Sequence, residues 1–225
     1  MRRLTLPLAL LATLALATSA LAATNAAKFD LGFTTKKPGK STGFSFDVAF
    51  ANTGGNAVPA ALKKFSISLP KGSKFDGAGA LQCKASDKEL EEKQSAACPA
   101  NTFVGSGTAT AVPPGGGNTI KTTVKIANGK KGAFEFFFAV NGTDVTSFRA
   151  TAKGSTLTSQ TLTGTLPGGI IVTSFKGSIK KKSRDGKNLI TTPKTCPRSK
   201  KWEAGGNFKF ADGSHKPTDT IGCRS

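Results

Sequence analysis

The chain has 225 residues and a formal net charge of +19, from 32 Lys or Arg against 13 Asp or Glu, with one histidine, no tyrosine and four cysteines. So few acids and a single histidine leave little material for acid–base or metal chemistry. The positive field disfavours cationic partners and favours nucleic acid, anionic cell-wall polymer, acidic polysaccharide or lipid headgroups.

The N-terminus has the three parts of an export signal: Arg2 and Arg3, an apolar run over residues 4–16, and the small-x-small Ala20-Leu21-Ala22. Residues 1–22 are expected to be cleaved, leaving a protein that is secreted or associated with the cell envelope. Pro7 and Thr13 interrupt the apolar run, which is shorter than the ~20 residues of a membrane span, so no span is expected after cleavage. Without Arg2 and Arg3 the charge is +17, and residues 176–225, with thirteen basic and four acidic residues, carry +9 of it.

Residues 28–33 read as a first strand, followed by a Lys-Lys-Pro-Gly-Lys turn. In 42–50 the alternation of Phe44, Phe46, Val48 and Phe50 with Ser45 and Asp47 predicts a half-buried strand. Residues 52–56 read as loop, and 64–69 repeats the alternation with Phe65, Ile67 and Leu69. Cys83 and Cys98 then bracket the one helical stretch. Ser86-Asp87-Lys88-Glu89 has capping-box spacing, Glu89, Glu91 and Glu92 suit the positive end of a helix dipole, and helix formers run to about Ala97. Residues 102–112 predict a strand of small residues, in which Gly105 and Gly107 mark a bulge or the close approach of another backbone.

Ile120, Val124 and Ile126 form the next strand face, and Asn128-Gly129 turns into 133–140. There Phe134, Phe136, Phe138 and Val140 share a face, with Phe137 on the other and Glu135 expected toward solvent. Asn141-Gly142 is the strongest hairpin signal, returning into 143–152, and this turn also explains the sequon Asn141-Gly142-Thr143. Residues 156–166 and 169–179 are expected to pair through Pro167-Gly168, with Ile171, Thr173, Phe175 and Ile179 in phase. Residues 180–187 read as a basic turn leading to a strand at 188–192.

These elements predict an all-β, antiparallel β-sandwich of about twelve short strands with one short helix in a disulfide loop. The expected organisation is a main β-sandwich domain, 23–195, with a disulfide-stapled C-terminal hairpin, 196–225, packed on it. Four cysteines, none in a CxxC, allow three pairings and fit an oxidising compartment. The sequence-local pairing, Cys83 with Cys98 and Cys196 with Cys223, brackets two compact stretches, each stabilised by about 3–4 kcal/mol in the chain-entropy model. Zinc needs shorter spacings, and the lone His215 sits in neither pair.

No catalytic residue, cofactor or metal is assigned. A Ser-His-Asp arrangement has to use His215 with Asp212 or Asp219 and a distant serine. Ser106, in Gly105-Ser106-Gly107, lacks the G-x-S-x-G spacing. Paired carboxylates for glycoside hydrolysis can meet in any fold, but the acids here fall mainly on the helix face and in turns. Binding is better provided for. Lys180, Lys181, Lys182, Arg184 and Lys187 form a basic tip, joined by Lys194, Arg198, Lys200 and Lys201, that either contacts an anionic partner or only solubilises the chain. Nucleic-acid stacking needs aromatics among the charges. Only Trp202 is near, as core anchor or carbohydrate platform, so specific nucleic-acid binding is not expected.

Cys98-Pro99 with Val104-Gly105-Ser106-Gly107-Thr108-Ala109, then Thr192-Pro193-Lys194-Thr195-Cys196-Pro197, then Trp202, Phe208 and Asp212-Gly213, resembles a group of uncharacterised secreted proteins of actinobacteria. The resemblance covers most of the chain beyond the leader. It implies a secreted, disulfide-bonded β protein and carries over no catalytic residue. The expectation is thus a secreted, non-enzymatic binding or structural module touching anionic cell-wall polymer or acidic polysaccharide through its basic C-terminal region. The alternative is an extracellular carbohydrate-active or other hydrolytic β protein, with a concave face lined by two acids or by His215 and an acid.

Overall fold

A computed structural model describes residues 24–52, 58–113, 115–162 and 169–224. The expected leader, most of the 52–56 loop and the Pro167-Gly168 turn lie outside the described residues. In chain order the strands are β1 (Thr24–Phe33), β2 (Phe44–Asn52), β3 (Leu62–Ser68), β4 (Lys74–Phe75), β5 (Phe103–Val112), β6 (Ile120–Asn128), β7 (Ala133–Val140) and β8 (Thr143–Lys153). They continue as β9 (Thr156–Ser159), β10 (Ile171–Ile179), β11 (Ser183–Arg184), β12 (Lys187–Asn188), β13 (Ile190–Thr191), β14 (Lys201–Phe210), β15 (Ser214–His215) and β16 (Thr218–Gly222). One α-helix, α1 (Asp87–Lys93), lies between β4 and β5.

Pairings among the described residues are all antiparallel. Twelve strands make one sheet in the order β1-β2-β10-β5-β6-β7-β8-β9-β3-β14-β15, with β16 also on β14. The protein is all-β, and the facing layers expected of a sandwich are opposite walls of this one curled sheet. Its edges meet where β1 lies against β14, β15 and β16. Side chains make much of the seam. Asp219 Oδ2 accepts from Leu31 N at 2.7 Å, and Asp212 Oδ2 accepts from Thr24 N at 2.8 Å. Beside them Arg224 N donates to Lys36 O at 2.9 Å.

The curl follows from the alternation. Phe44, Phe46, Val48 and Phe50 of β2 are buried while Ser45 is exposed, so the strand needs an apolar partner on one face. The rest of the sheet supplies it, with Phe65, Phe136, Phe138 and Phe208 in the same core. Each such side chain contributes about 1.5–3 kcal/mol by burial. Edge-on ring pairs, such as Phe50–Phe208 at 5.3 Å and Phe65–Phe148 at 5.6 Å between centroids, add roughly 0.5–1.5 kcal/mol each. One tight return is at Asn141 (φ 51°) and Gly142 (φ 85°), the two left-handed residues a type I′ hairpin requires.

Three local expectations need correction or sharpening. In β10 a bulge between Val172 and Ser174 reverses the phase, as one extra residue must. Val172 and Phe175 therefore pack on the core, and Thr173 hydrogen-bonds Thr110 instead. A methyl on Gly105 or Gly107 of β5 would collide with β10 carbonyls, which is the close backbone approach the glycines predict. The helix stops at Lys93 rather than about Ala97, because Gln94 takes φ 50° and the chain tightens into a 3₁₀ turn, Gln94–Ala97.

Residues 81–102 cross the outer face of the sheet, where Cys83, Leu90 and Cys98 close over Ala127 of β6 and Phe137 of β7. Asn128, fully buried, pins the start of this excursion by sharing its Nδ2 among the carbonyls of Gly77 (2.8 Å), Ala80 (3.1 Å) and Leu81 (3.2 Å). The capping box on α1 is present, Ser86 with Glu89. Both disulfides form, Cys83–Cys98 and Cys196–Cys223, with Cα separations of 5.0 and 5.8 Å. Two disulfides suit an oxidising, extracellular-type environment. Among the described residues no helix is long and apolar enough to cross a membrane. The C-terminal stretch is built into the sheet, with β14 hydrogen-bonded to β3 on one side and β16 on the other.

Replacing Cys83 and Cys98 together by Ser should lower the unfolding free energy in urea by about 3 kcal/mol; an unchanged value would show that the staple holds nothing. Asp219→Ala strands the Leu31 amide at the seam and should cost about 1.5–3 kcal/mol, read in the same titration, with no loss expected if the edges are held by packing alone.

Candidate anion-binding end

Curling brings every second strand connection to the same end of the sheet, so segments far apart in sequence become neighbours. The β1–β2 connection carries Lys36, Lys37 and Lys40, and the chain leaving β3 carries Lys71 and, on β4, Lys74. The run from β10 to β12 carries Lys180, Lys181, Lys182, Arg184 and Lys187, and the approach to β14 carries Lys194, Arg198, Lys200 and Lys201. Arg224 follows β16. All of these side chains are exposed.

Specific bonds hold the segments together. Gly39 N donates to Pro193 O at 2.8 Å, and Thr42 N donates to Ile190 O at 3.0 Å. Thr192, fully buried, donates its hydroxyl to Lys37 O at 2.8 Å and accepts from Lys40 N at 3.0 Å. Ser41 and Ser183 share a hydroxyl contact of 3.1 Å, and β13 pairs with β4, Thr191 opposite Lys74. Cys223 N donates to Lys200 O at 2.8 Å, and Lys201 pairs with Gly222. The disulfide Cys196–Cys223 ties the two segments that bear these last cations.

The sequence-predicted cations of 180–187 and Lys200 and Lys201 thus lie at one end of the sheet, along with Lys36, Lys37, Lys40, Lys71, Lys74 and Arg224, which the sequence reading left out of the site. Lys-Lys-Pro-Gly-Lys was the signal for the first three, read there as a turn alone. Among the described residues the ion pair within this cluster is Arg184 with Asp185 at 3.2 Å. The opposite end is different in kind. Among its described loop residues, 58–61, 115–119, 141–142, 160–162, 169–170 and 211–213, Asp212 is the single charged one. Trp202 is buried, with Nε1 donating to Thr195 O at 2.9 Å and its ring edge-on to Phe33; it is a core anchor.

The candidate catalytic groups are committed elsewhere. Asp212 and Asp219, the acids nearest His215 in sequence, accept β1 amides. His215 pairs opposite Phe208, and Ser106 sits on β5, which is not a neighbour of β14 or β15 in the strand order. Glu135 does point away from Phe134 and Phe136, yet it is buried rather than solvent-facing, because residues 81–102 cover that face. Its side chain is 6 % exposed and its Oε1 accepts from Arg149 Nε at 2.6 Å, while Arg149 Nη2 donates to Asp87 at 2.8 Å. Burial pushes the Glu135 carboxyl up, more than Arg149 draws it down, and the Arg149 hydrogen bond holds Asp87 below its ordinary value. Arg149 lies between the two acids and fastens the disulfide excursion to β7 and β8. Among the described residues no three His, Cys, Asp or Glu gather as a metal would need. No protein-family profile matches the chain, and no curated protein is similar to it.

Because the folded state favours protonated Glu135, its contribution is fully present below the ordinary glutamate value and is lost as pH rises through the raised one. Glu135→Gln removes that loss and keeps the Arg149–Asp87 pair. Its stability relative to the parent chain should therefore increase from about pH 4 to pH 7, followed by thermal melts; a pH-independent difference would contradict the assignment.

Proposed function

We propose that this protein is an exported, non-enzymatic binding module that works at the cell envelope or beyond it and holds anionic cell-wall polymer or acidic polysaccharide against the basic end of its sheet. The observation that carries this reading is the convergence of exposed cations from five separate segments on one end, opposite described loops among which Asp212 is the single charged residue. Solubility alone requires no such segregation. Two disulfides and the leader-like residues 1–22 support export.

An array of exposed lysines on stiffly held loops reads charge density rather than a particular residue, which suits polymers with a repeating phosphate or carboxylate. Each cation near an anionic surface contributes on the order of 1 kcal/mol, and the sum is screened by salt. Sequence-specific nucleic-acid contact fits less well, because the described residues offer no exposed aromatic side chain for stacking.

The test is retention of the full chain on immobilised teichoic acid and on polygalacturonate at low and high salt. Retention should be strong at low salt and lost at high salt on at least one of them. Charge reversal at Lys181, Lys182, Lys200 and Lys201 to Glu should weaken it by roughly tenfold or more without changing the melting temperature. Absence of salt-sensitive retention on either polymer, or retention untouched by the reversal, would overturn the reading.

A further inference from the structure

The interior of the curled sheet is not fully packed. Toward the uncharged end lies a cavity of about 190 Å³ walled by Phe46, Phe138, Phe148 and Phe175. Its lining comes from β2, β3, β7, β8, β10 and β14, so it lies inside the curl rather than on one face. Thr146, Ser147, Gln160 and Thr161 supply polar atoms, and among the described residues no charged side chain contributes to the lining. Gln160 and Thr161 are exposed and Thr146 is half-buried, which places the polar groups at the mouth.

We propose that this cavity is a binding site for a small neutral molecule, mostly hydrocarbon, with one or two rings and at most one hydroxyl or carbonyl. An apolar cavity of roughly 150 Å³ stays dry and admits benzene, so this one is matched to a slightly larger ring compound. Seven phenylalanines line it and offer both faces and edges, with Phe46–Phe175 at 4.8 Å and Phe136–Phe148 stacked at 4.7 Å just behind the wall, the contacts an aromatic or alicyclic guest extends. A charged guest is rejected, because its ion would be desolvated where no counter-ion stands. A single hydroxyl or carbonyl finds hydrogen-bond partners at Thr146, Gln160 or Thr161. An unfilled core void weakens a fold, and an inward position on β8 carries Thr146 where a larger aliphatic residue would close the space. The site is independent of the basic end, which lies at the other end of the same strands.

The experiment titrates the full chain with naphthalene, 1-naphthol and 1-naphthoate and follows the methyl resonances of Val48, Leu162 and Val172. The two neutral probes should shift these signals saturably, and 1-naphthoate should bind at least roughly tenfold more weakly. Thr146→Phe fills the cavity and should abolish neutral-probe binding while holding or raising the melting temperature. If that variant does not fold, Gln160→Trp at the exposed mouth should weaken binding in its place. Absence of saturable shifts, equal binding of naphthol and naphthoate, or full binding by a folded filled variant would each overturn the proposal.

Discussion

Asp219 accepts the amide of Leu31, and Asp212 that of Thr24, across the line where the first strand of the sheet meets the last ones. Two short side chains thereby take part in what a backbone ladder does elsewhere in the sheet. The seam exists because, among the described residues, the phenylalanine faces of β2, β7 and β14 have no large second sheet or long helix to cover them, the two-stranded β4–β13 pair adding only Phe75 and Ile190. They cover one another, and a sheet that buries its own face must curl until its edges touch. Meeting edges also remove the long unpaired strands that invite extension by a second chain. The excursion stapled by Cys83 and Cys98 solves the remaining problem, since Phe137 and Glu135 project from the outer face and need a lid of their own.

Curling is also what sorts the charge. Along the chain the lysines come as scattered clusters, each explicable as a solvated turn. Antiparallel connections alternate between the two ends, and the lysine-bearing ones fall consistently on one of them. Thr192 and the Ser41–Ser183 contact then lock these loops into a single surface. The same alternation sends the glycine-, threonine- and asparagine-rich connections to the other end, where the phenylalanine core is least filled. One end gathers the cations of the connecting loops, and the other holds the apolar space.

Much of this architecture was legible in the sequence because period-two alternation is a local signal. The β2 pattern of Phe44 to Phe50, the Asn141-Gly142 turn, the Ser86–Glu89 capping box and both disulfides all follow from neighbours within a few residues or from cysteine spacing. What was not legible depends on distant partners. The bulge in β10 arises from its pairing with β5, so the phase of Val172 and Thr173 could not be read from 169–179 alone. Glu135 looked solvent-facing because alternation tells which face a residue takes, not what later covers that face. Lys36, Lys37 and Lys40 join the basic end only through hydrogen bonds to residues some 150 positions on, a relation with no trace in local pattern. Asp212 and Asp219 looked like partners for His215, and their actual role required knowing where β1 ends up.

The proposed anionic-polymer surface is one end of a curled sheet, assembled from distant segments. Amide chemical-shift mapping during titration with an acidic polysaccharide tests it most directly. Residues 36–40, 180–187 and 194–201 should respond together with one apparent affinity, while 115–119 and 141–142 stay still. Shifts confined to one of the basic segments, or spread evenly over lysines elsewhere such as Lys63 and Lys121, would contradict it.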